Sequence, residues 1–182
     1  MPLRDYSFVR LHDECDHLDA FDCGNKDLNE FLCNDSKDYC KQLMAVTYLF
    51  ENHAKEIVAF FSVANDNLSV KDVEKAKKRK INKRIRFSKQ RKYYPAVLLA
   101  RLGVHKPFRR NKIGTEIIEF IKGFFTINNK TGCRFILVDA YNTPEVIAFY
   151  KENEFDFLLE SDKEKETRLM YYDLLLSIPS EN

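Results

Sequence analysis

Residues 96–104, AVLLARLGV, form an apolar run of strand length, and a short basic loop carries the chain directly into a stretch with helical periodicity. In that stretch Ile113, Ile117, Ile118, Ile121, Phe124 and Phe125 recur at the spacing of one helix face, which predicts a helix over 112–127. A second apolar run, RFILVD at 134–139, follows. Pro144 stands at a first-turn position before Val146, Ile147, Phe149 and Tyr150, which predicts another helix. Strand, helix, strand, helix restricts the chain to an α/β architecture with a mixed sheet.

The flanking segments extend that sheet. Alternation over 7–12 predicts an opening strand, and 46–50 and 57–63 are rich in β-branched and aromatic residues around a polar turn at 51–56, which predicts an antiparallel hairpin. Leu28, Phe31 and Leu32 predict one amphipathic helix over 27–40, with Asn25 or Asp27 as its cap. Residues 155–159 and 168–174 predict two closing strands around the charged turn SDKEKET. With 182 residues, 45% hydrophobic, and only five glycines and five prolines, a single packed domain is expected.

No apolar run approaches the ~18–20 residues of a membrane-spanning helix, and the first residues carry no secretory pattern, so a cytoplasmic protein without membrane contact is expected. The five cysteines, Cys15, Cys23, Cys33, Cys40 and Cys133, lack CxxC or Cys/His ligand spacing; reduced thiols and no metal site are expected. His12, His17 and His53 stand alone as surface or packing residues.

The net charge of +2 conceals an asymmetry. Between Lys75 and Lys92 the chain reads KAKKRKINKRIRFSKQRK, with 11 of the 30 basic residues and none of the 28 acidic ones, so the remainder carries 19 against 28, a net −9. Residues 66–94 are read as a basic insertion, partly helical and exposed. Its cations, with Phe87, Tyr93 and Tyr94 nearby, suit phosphates and unpaired bases; a solvated arm, or one folded against the acidic body, is the alternative.

The loop between the central strand and helix carries the chemistry. Arg109, Arg110 and Lys112 stand beside a helix N-terminus, whose unpaired N–H groups and dipole attract phosphate. An ordinary basic loop is the alternative. The segment resembles the acyl-CoA loop of the GCN5-related N-acetyltransferase superfamily, Arg/Gln-x-x-Gly-x-Gly/Ala: Arg109, Ile113 and Gly114 match, whereas Lys112 replaces the usual first glycine and Arg110 a frequent one. The superfamily's late signature, aromatic-Tyr-x-x-x-Gly-Phe, is similar to Phe149-Tyr150-Lys-Glu-Asn-Glu154-Phe155, with Glu154 in place of glycine. Residues 21–32, FDCGNKDLNEFL, together with YPAVLLARLGV at 94–104 and LVDA at 137–140, resemble the subfamily of toxins that acetylate aminoacyl-tRNA.

The resemblance implies a single N-acetyltransferase domain with a mixed, mostly antiparallel central sheet flanked by helices. Acetyl-CoA is then bound where two neighbouring central strands splay apart. The cofactor-binding residues it implies are Leu102, Gly103, Val104, Arg109, Arg110, Asn111, Lys112, Ile113, Gly114, Thr115 and Asn142. It implies acetyl transfer to a primary amine, the α-amino group of aminoacyl-tRNA before others, with tRNA on the Lys75–Lys92 segment, a small DNA-binding antitoxin and a homodimer. A protein or small-molecule amine as acceptor, and a non-catalytic CoA-fold module, are the alternatives.

The chemistry can also be argued from the residues. A neutral amine attacks the thioester carbonyl, backbone N–H groups near Leu102 to Val104 can hold the oxyanion, and the departing thiolate needs a proton. Tyr150, with an ordinary phenol near 10, is the candidate acid, the role the resemblance gives it; periodicity alone would make it a core aromatic. His105 and Glu145 are nearby titratable groups, but neither has a spacing that demands a base. An α-amine near 7.7–8.0 needs none, whereas a lysine near 10.4 must first lose a proton.

Overall fold

The computed structural model describes residues 2–15, 17–129 and 131–178. The strands are β1 Ser7–Arg10, β2 Val46–Glu51, β3 Ile57–Ser69, β4 Tyr93–Val104, β5 Phe135–Tyr141, β6 Asp156–Phe157 and β7 Thr167–Asp173. The α-helices are α1 Lys26–Glu30, α2 Ser36–Lys41, α3 Lys75–Asn82, α4 Ile113–Thr126 and α5 Pro144–Glu152. The sheet runs β1-β2-β3-β4-β5-β7-β6, antiparallel in every described pairing except the parallel β4–β5 pair. This is the mixed, mostly antiparallel α/β architecture expected. No helix among the described residues is long and apolar enough to cross a membrane.

Two compact units divide the chain. The first comprises the residues up to Ala64 with Leu99–Ile118. Its β2–β3 hairpin has Leu49 opposite Phe60 and a bulge at Phe50/Glu51. Leu11, Phe21, Phe31, Leu32, Leu49 and Phe60 are buried together there. The single helix expected over 27–40 is instead interrupted by a π-helical turn at Phe31–Asp35. Ser36 Oγ donates to Leu32 O at 2.6 Å across that turn, the local side-chain bond by which serine perturbs a helix. Phe31 and Leu32 are both buried in that turn.

The second unit comprises Asn65–Leu98 and the residues from Glu119 onward. β5 pairs along its whole length with β7, whereas the parallel ladder joins only Ala96–Leu98 to Phe135–Leu137. Segment 66–94, read from sequence as exposed, contributes to this unit's core. β3 runs on to Ser69, and Leu68, Val70, Val73 and Ile81 pack with Tyr94, Phe135 and Tyr171. Leu68 and Val70 alternate and Ile81 and Ile85 stand one helical turn apart, but each pair is isolated among polar residues, so their burial is a tertiary effect. The penultimate strand is shorter than expected because the Asp162 carboxylate accepts from Leu169 N at 2.8 Å and Arg168 Nε at 3.2 Å, turning the chain out of the ladder.

Candidate active site

In the first unit, β4 ends at Val104 and the chain makes a 3₁₀ turn, Lys106–Phe108, before entering the 14-residue α4. Arg110 and Lys112 in between both adopt left-handed backbone, φ 65° and 58°. An L-residue there costs on the order of 1 kcal/mol that glycine does not incur. The two positions where cations replace the resembled family's glycines thus keep the conformation that glycine serves. Arg109, Arg110, Asn111, Lys112 and Thr115 are exposed, Gly114 is half-buried, and Ile113 is buried as the anchor. Among the described residues none of the three cations forms an ion pair. They stand at the positive end of a long helix whose first amides have no partner within it. A diphosphate fits that donor set.

The loop is clasped from the N-terminal segment. Asp22 accepts at Oδ1 from Gly24 N at 2.7 Å and Asn29 Nδ2 at 2.9 Å, and at Oδ2 from Lys106 Nζ at 2.6 Å. These hydrogen bonds, led by that from Lys106, hold its carboxyl well below the usual carboxylate range. Asn29 Oδ1 accepts from Cys23 N at 3.0 Å, and Asn25 caps α1 by accepting from Leu28 N at 3.2 Å. Gly24 has φ 73°, and a Cβ there would lie 2.9 Å from Lys106 Cε and 3.5 Å from an Arg109 guanidinium nitrogen. The FDCGN sequence is therefore the mount of the cationic loop. Asp22, Gly24, Asn29 and Lys106 were not singled out individually from sequence; the clustering of turn-forming residues before a helix was their only local signal.

His105 closes the clasp. Its Nδ1 lies 2.9 Å from Asp22 N, and Asp22 O already accepts from Lys106 N at 2.9 Å. Nδ1 also lies 3.0 Å from Asp22 O, and Nε2 faces Glu56 Oε1 at 3.7 Å, beyond hydrogen-bond distance. Nδ1 is thus committed to the clasp, which suits a structural residue. At the end of β4, Leu102 and Val104 are half-buried. Gly103 is required sterically: a Cβ would meet Phe60 Cε1 at 2.7 Å and Phe21 Cζ at 3.2 Å. Arg109 Nε lies 3.4 Å from Val104 O, a long contact at the limit of a hydrogen bond.

In the second unit, Tyr150 occupies the last turn of α5. Phe155 N donates to Tyr150 O at 2.9 Å and Glu154 N to Lys151 O at 2.9 Å, with Glu154 left-handed at φ 67°. This is a Schellman closure, and the Tyr150–Phe155 ring contact, 5.4 Å between centroids, is its usual hydrophobic partner. The aromatic-Tyr-x-x-x-Gly-Phe signature is thereby explained as a helix C-cap that fixes the tyrosine, with Glu154 taking the glycine's backbone conformation. Tyr150 is 8% exposed, and burial pushes its phenol well above the ordinary range.

Glu154 also has a side-chain task. Lys122 of α4, with its side chain 3% exposed, places Nζ 2.6 Å from Glu119 Oε1, 3.1 Å from Glu154 Oε2 and 4.3 Å from the centroid of the Tyr172 ring. Burial alone would depress that amine, and the two carboxylates outweigh it and push it up. Asn142 donates from Nδ2 to Lys163 O and Lys165 O, both at 2.9 Å, so its amide organises the turn before β7. Glu145 is exposed on the first turn of α5.

No family model and no curated protein matches this sequence. Solved structures do match in fold. A structure of AtaT complexed with acetyl-methionyl-tRNAfMet superposes with a TM-score of 0.78 at 18% identity, covering 95% of this chain and 97% of that one. A tyrosine-to-phenylalanine mutant of KacT gives 0.73 at 17%, covering 94% and 96%. A tyrosine-to-phenylalanine mutant of the AtaT toxin, bound to the C-terminus of the antitoxin AtaR and acetyl-CoA, gives 0.71 at 17%, covering 94% and 95%.

Proposed function

We propose that this chain, whose fold is that of the GCN5-related N-acetyltransferases, transfers the acetyl group of acetyl-CoA to a primary amine, and that its acceptor is the α-amino group of an aminoacyl-tRNA. The observation that carries this reading is the loop between β4 and α4: three cations without ion pairs, two of them on left-handed backbone, at the start of a long helix. That donor set suits the diphosphate of CoA. Arg109 to Thr115 hold it, and Leu102, Gly103 and Val104 offer backbone N–H groups toward the acyl carbonyl.

Acetyl-CoA supplies an acyl group activated as a thioester. The acceptor nitrogen bonds to the carbonyl carbon, the carbon–sulfur bond breaks, and the thiolate takes the phenol proton of Tyr150. The amine's proton leaves to water, and the phenolate recovers its own from the same source. Tyr150 is buried and its phenol lies above the ordinary range, so it is protonated at every cellular pH, as an acid must be. His105 Nδ1 is held by the Asp22 backbone, which supports a reaction that begins from an amine already neutral, and an α-amine near 7.7–8.0 meets that condition where a lysine near 10.4 does not.

The wider reading is of a toxin-like acetyltransferase that forms a homodimer and pairs with a DNA-binding antitoxin. AtaT's solved complexes with acetyl-methionyl-tRNAfMet and with the AtaR C-terminus support the tRNA acceptor and the antitoxin. Calorimetric titration with acetyl-CoA, compared between the parent and Tyr150→Phe, tests the site: both should bind it and only the parent should turn it over. Failure of the parent to bind acetyl-CoA would contradict the assignment.

A further inference from the structure

The basic segment has two faces with different fates. Lys77 pairs with Glu160 at 3.6 Å, Lys80 with Asp156 at 2.5 Å, and Arg84 donates to Leu175 O at 3.1 Å. Ile81, buried in the core, accepts through its carbonyl from Arg134 at 3.3 Å. Residues 77, 80, 81 and 84 share one helical face, and that face fastens α3 and the turn after it to the acidic body. A freely solvated arm does not describe this segment.

The other face carries Lys75, Lys78, Arg79 and Lys83, again at helical spacing, and among the described residues none of these is in an ion pair. They line an open cavity of about 550 Å³, inside the ~300–1,000 Å³ range of small-ligand sites. Its floor is polar and fixed: Asn82 donates to Gln90 Oε1 at 3.3 Å and accepts from Tyr94 Oη at 2.8 Å. Phe87 stands at the rim, 89% exposed. Exposed among cations, this phenyl ring offers a π-face for stacking.

We infer that this cavity seats one unstacked nucleotide of a single-stranded RNA, its phosphates on Lys78, Arg79 and Lys83 and its base against Phe87. Four cations would equally attract an acidic peptide; the exposed aromatic ring and the amide floor favour a base. The concave shape disfavours a duplex, whose bases are stacked within. The inference rests on the aminoacyl-tRNA reading and gives it a site remote in sequence from the acyl-CoA loop.

The test uses the full chain and fluorescence anisotropy across a salt series, with a short labelled single-stranded RNA, a duplex RNA of equal length and polyglutamate as probes. Phe87→Ala should weaken single-stranded RNA by about 5- to 150-fold, the equivalent of ~1–3 kcal/mol of stacking per base, with the salt slope unchanged. Lys78→Ala combined with Arg79→Ala should flatten the log–log salt slope by about 1.4, at ~0.7 per phosphate contact. Acetyl-CoA binding should be the same in all variants. Single-stranded RNA binding indifferent to Phe87, or duplex or polyglutamate held as tightly with the same Phe87 dependence, would overturn the inference. If charged tRNA is not acetylated yet RNA binding depends on Phe87, the acceptor reading falls and the cavity stands. If charged tRNA is acetylated and Phe87→Ala binds RNA like the parent, only the cavity falls.

Discussion

Phe155 holds Tyr150 twice, through an N–H···O bond of 2.9 Å to its carbonyl and through rings 5.4 Å apart. The tyrosine therefore sits on a helix terminus that cannot fray without releasing an aromatic pair, which mounts its side chain rigidly. Phe155→Ala should lower kcat while leaving acetyl-CoA affinity within about 2-fold, and should cost ~3–5 kcal/mol of stability, typical of a fully buried phenylalanine. Chemical denaturation and steady-state kinetics check the two effects separately.

Glu154 combines a left-handed backbone with a carboxylate on Lys122. Glu154→Ala and Glu154→Gly both remove the carboxylate, so the difference between them isolates the backbone contribution. Glycine should be the more stable by about 1 kcal/mol, or ~2–4 °C in a thermal melt of a chain this size. Equal stabilities would contradict the cap geometry.

Lys122 also sets an alkaline limit on stability. Its amine is pushed above its unfolded value, so its contribution is fully present below pH ~10.4 and is lost as pH rises through the folded value above that. Lys122→Met keeps the aliphatic packing and should unfold with a weaker pH dependence above pH 10 than the parent does. A parent stability flat through that range would contradict the shift.

The βαβα core, the hairpin and the last strands are legible from helix periodicity and from apolar, β-branched and aromatic runs of strand length, because the helices bury one face and the central strands both. The cationic loop between β4 and α4, as a candidate site, and Tyr150 are legible only through motif likeness. Composition cannot show that Arg110, Lys112 and Glu154 adopt glycine's backbone region, since the conformation is imposed by the loop and cap around them. The mount built by Asp22, Gly24 and Lys106 spans more than eighty positions, and the burial of Ile81 depends on strands that lie apart from it in sequence, Phe135 and Tyr171 among them. Neither leaves a local pattern to read.

The loop's mount predicts a binding effect at a distance. Gly24→Ala puts a methyl group 2.9 Å from Lys106 Cε and on a left-handed residue, so Lys106 and the neighbouring Arg109 must shift. Acetyl-CoA affinity should fall by about 10-fold, near 1.4 kcal/mol, while a variant of an exposed α2 residue such as Lys41→Ala should not change it. Isothermal titration gives the answer directly, and unchanged affinity in Gly24→Ala would show that the clasp does not position the loop.

Tyr150→Phe should lower kcat by about 10²- to 10⁴-fold with acetyl-CoA affinity preserved, the range of a lost general acid. The parent's kcat/KM should rise with pH through about 7.7–8.0 as the α-amine loses its proton. It should not fall again below about pH 10, because burial moves the phenol's deprotonation above its ordinary value. A falling limb near neutral pH would assign the acid to another group.

Transfer of radiolabel from acetyl-CoA onto bulk charged tRNA, with deacylated tRNA and a lysine-rich protein as parallel acceptors, tests the proposed function most directly. Label on charged tRNA alone, released as N-acetyl-amino acid by mild base, is the predicted result. Label on the protein alone, or on no acceptor while acetyl-CoA binds, would contradict it.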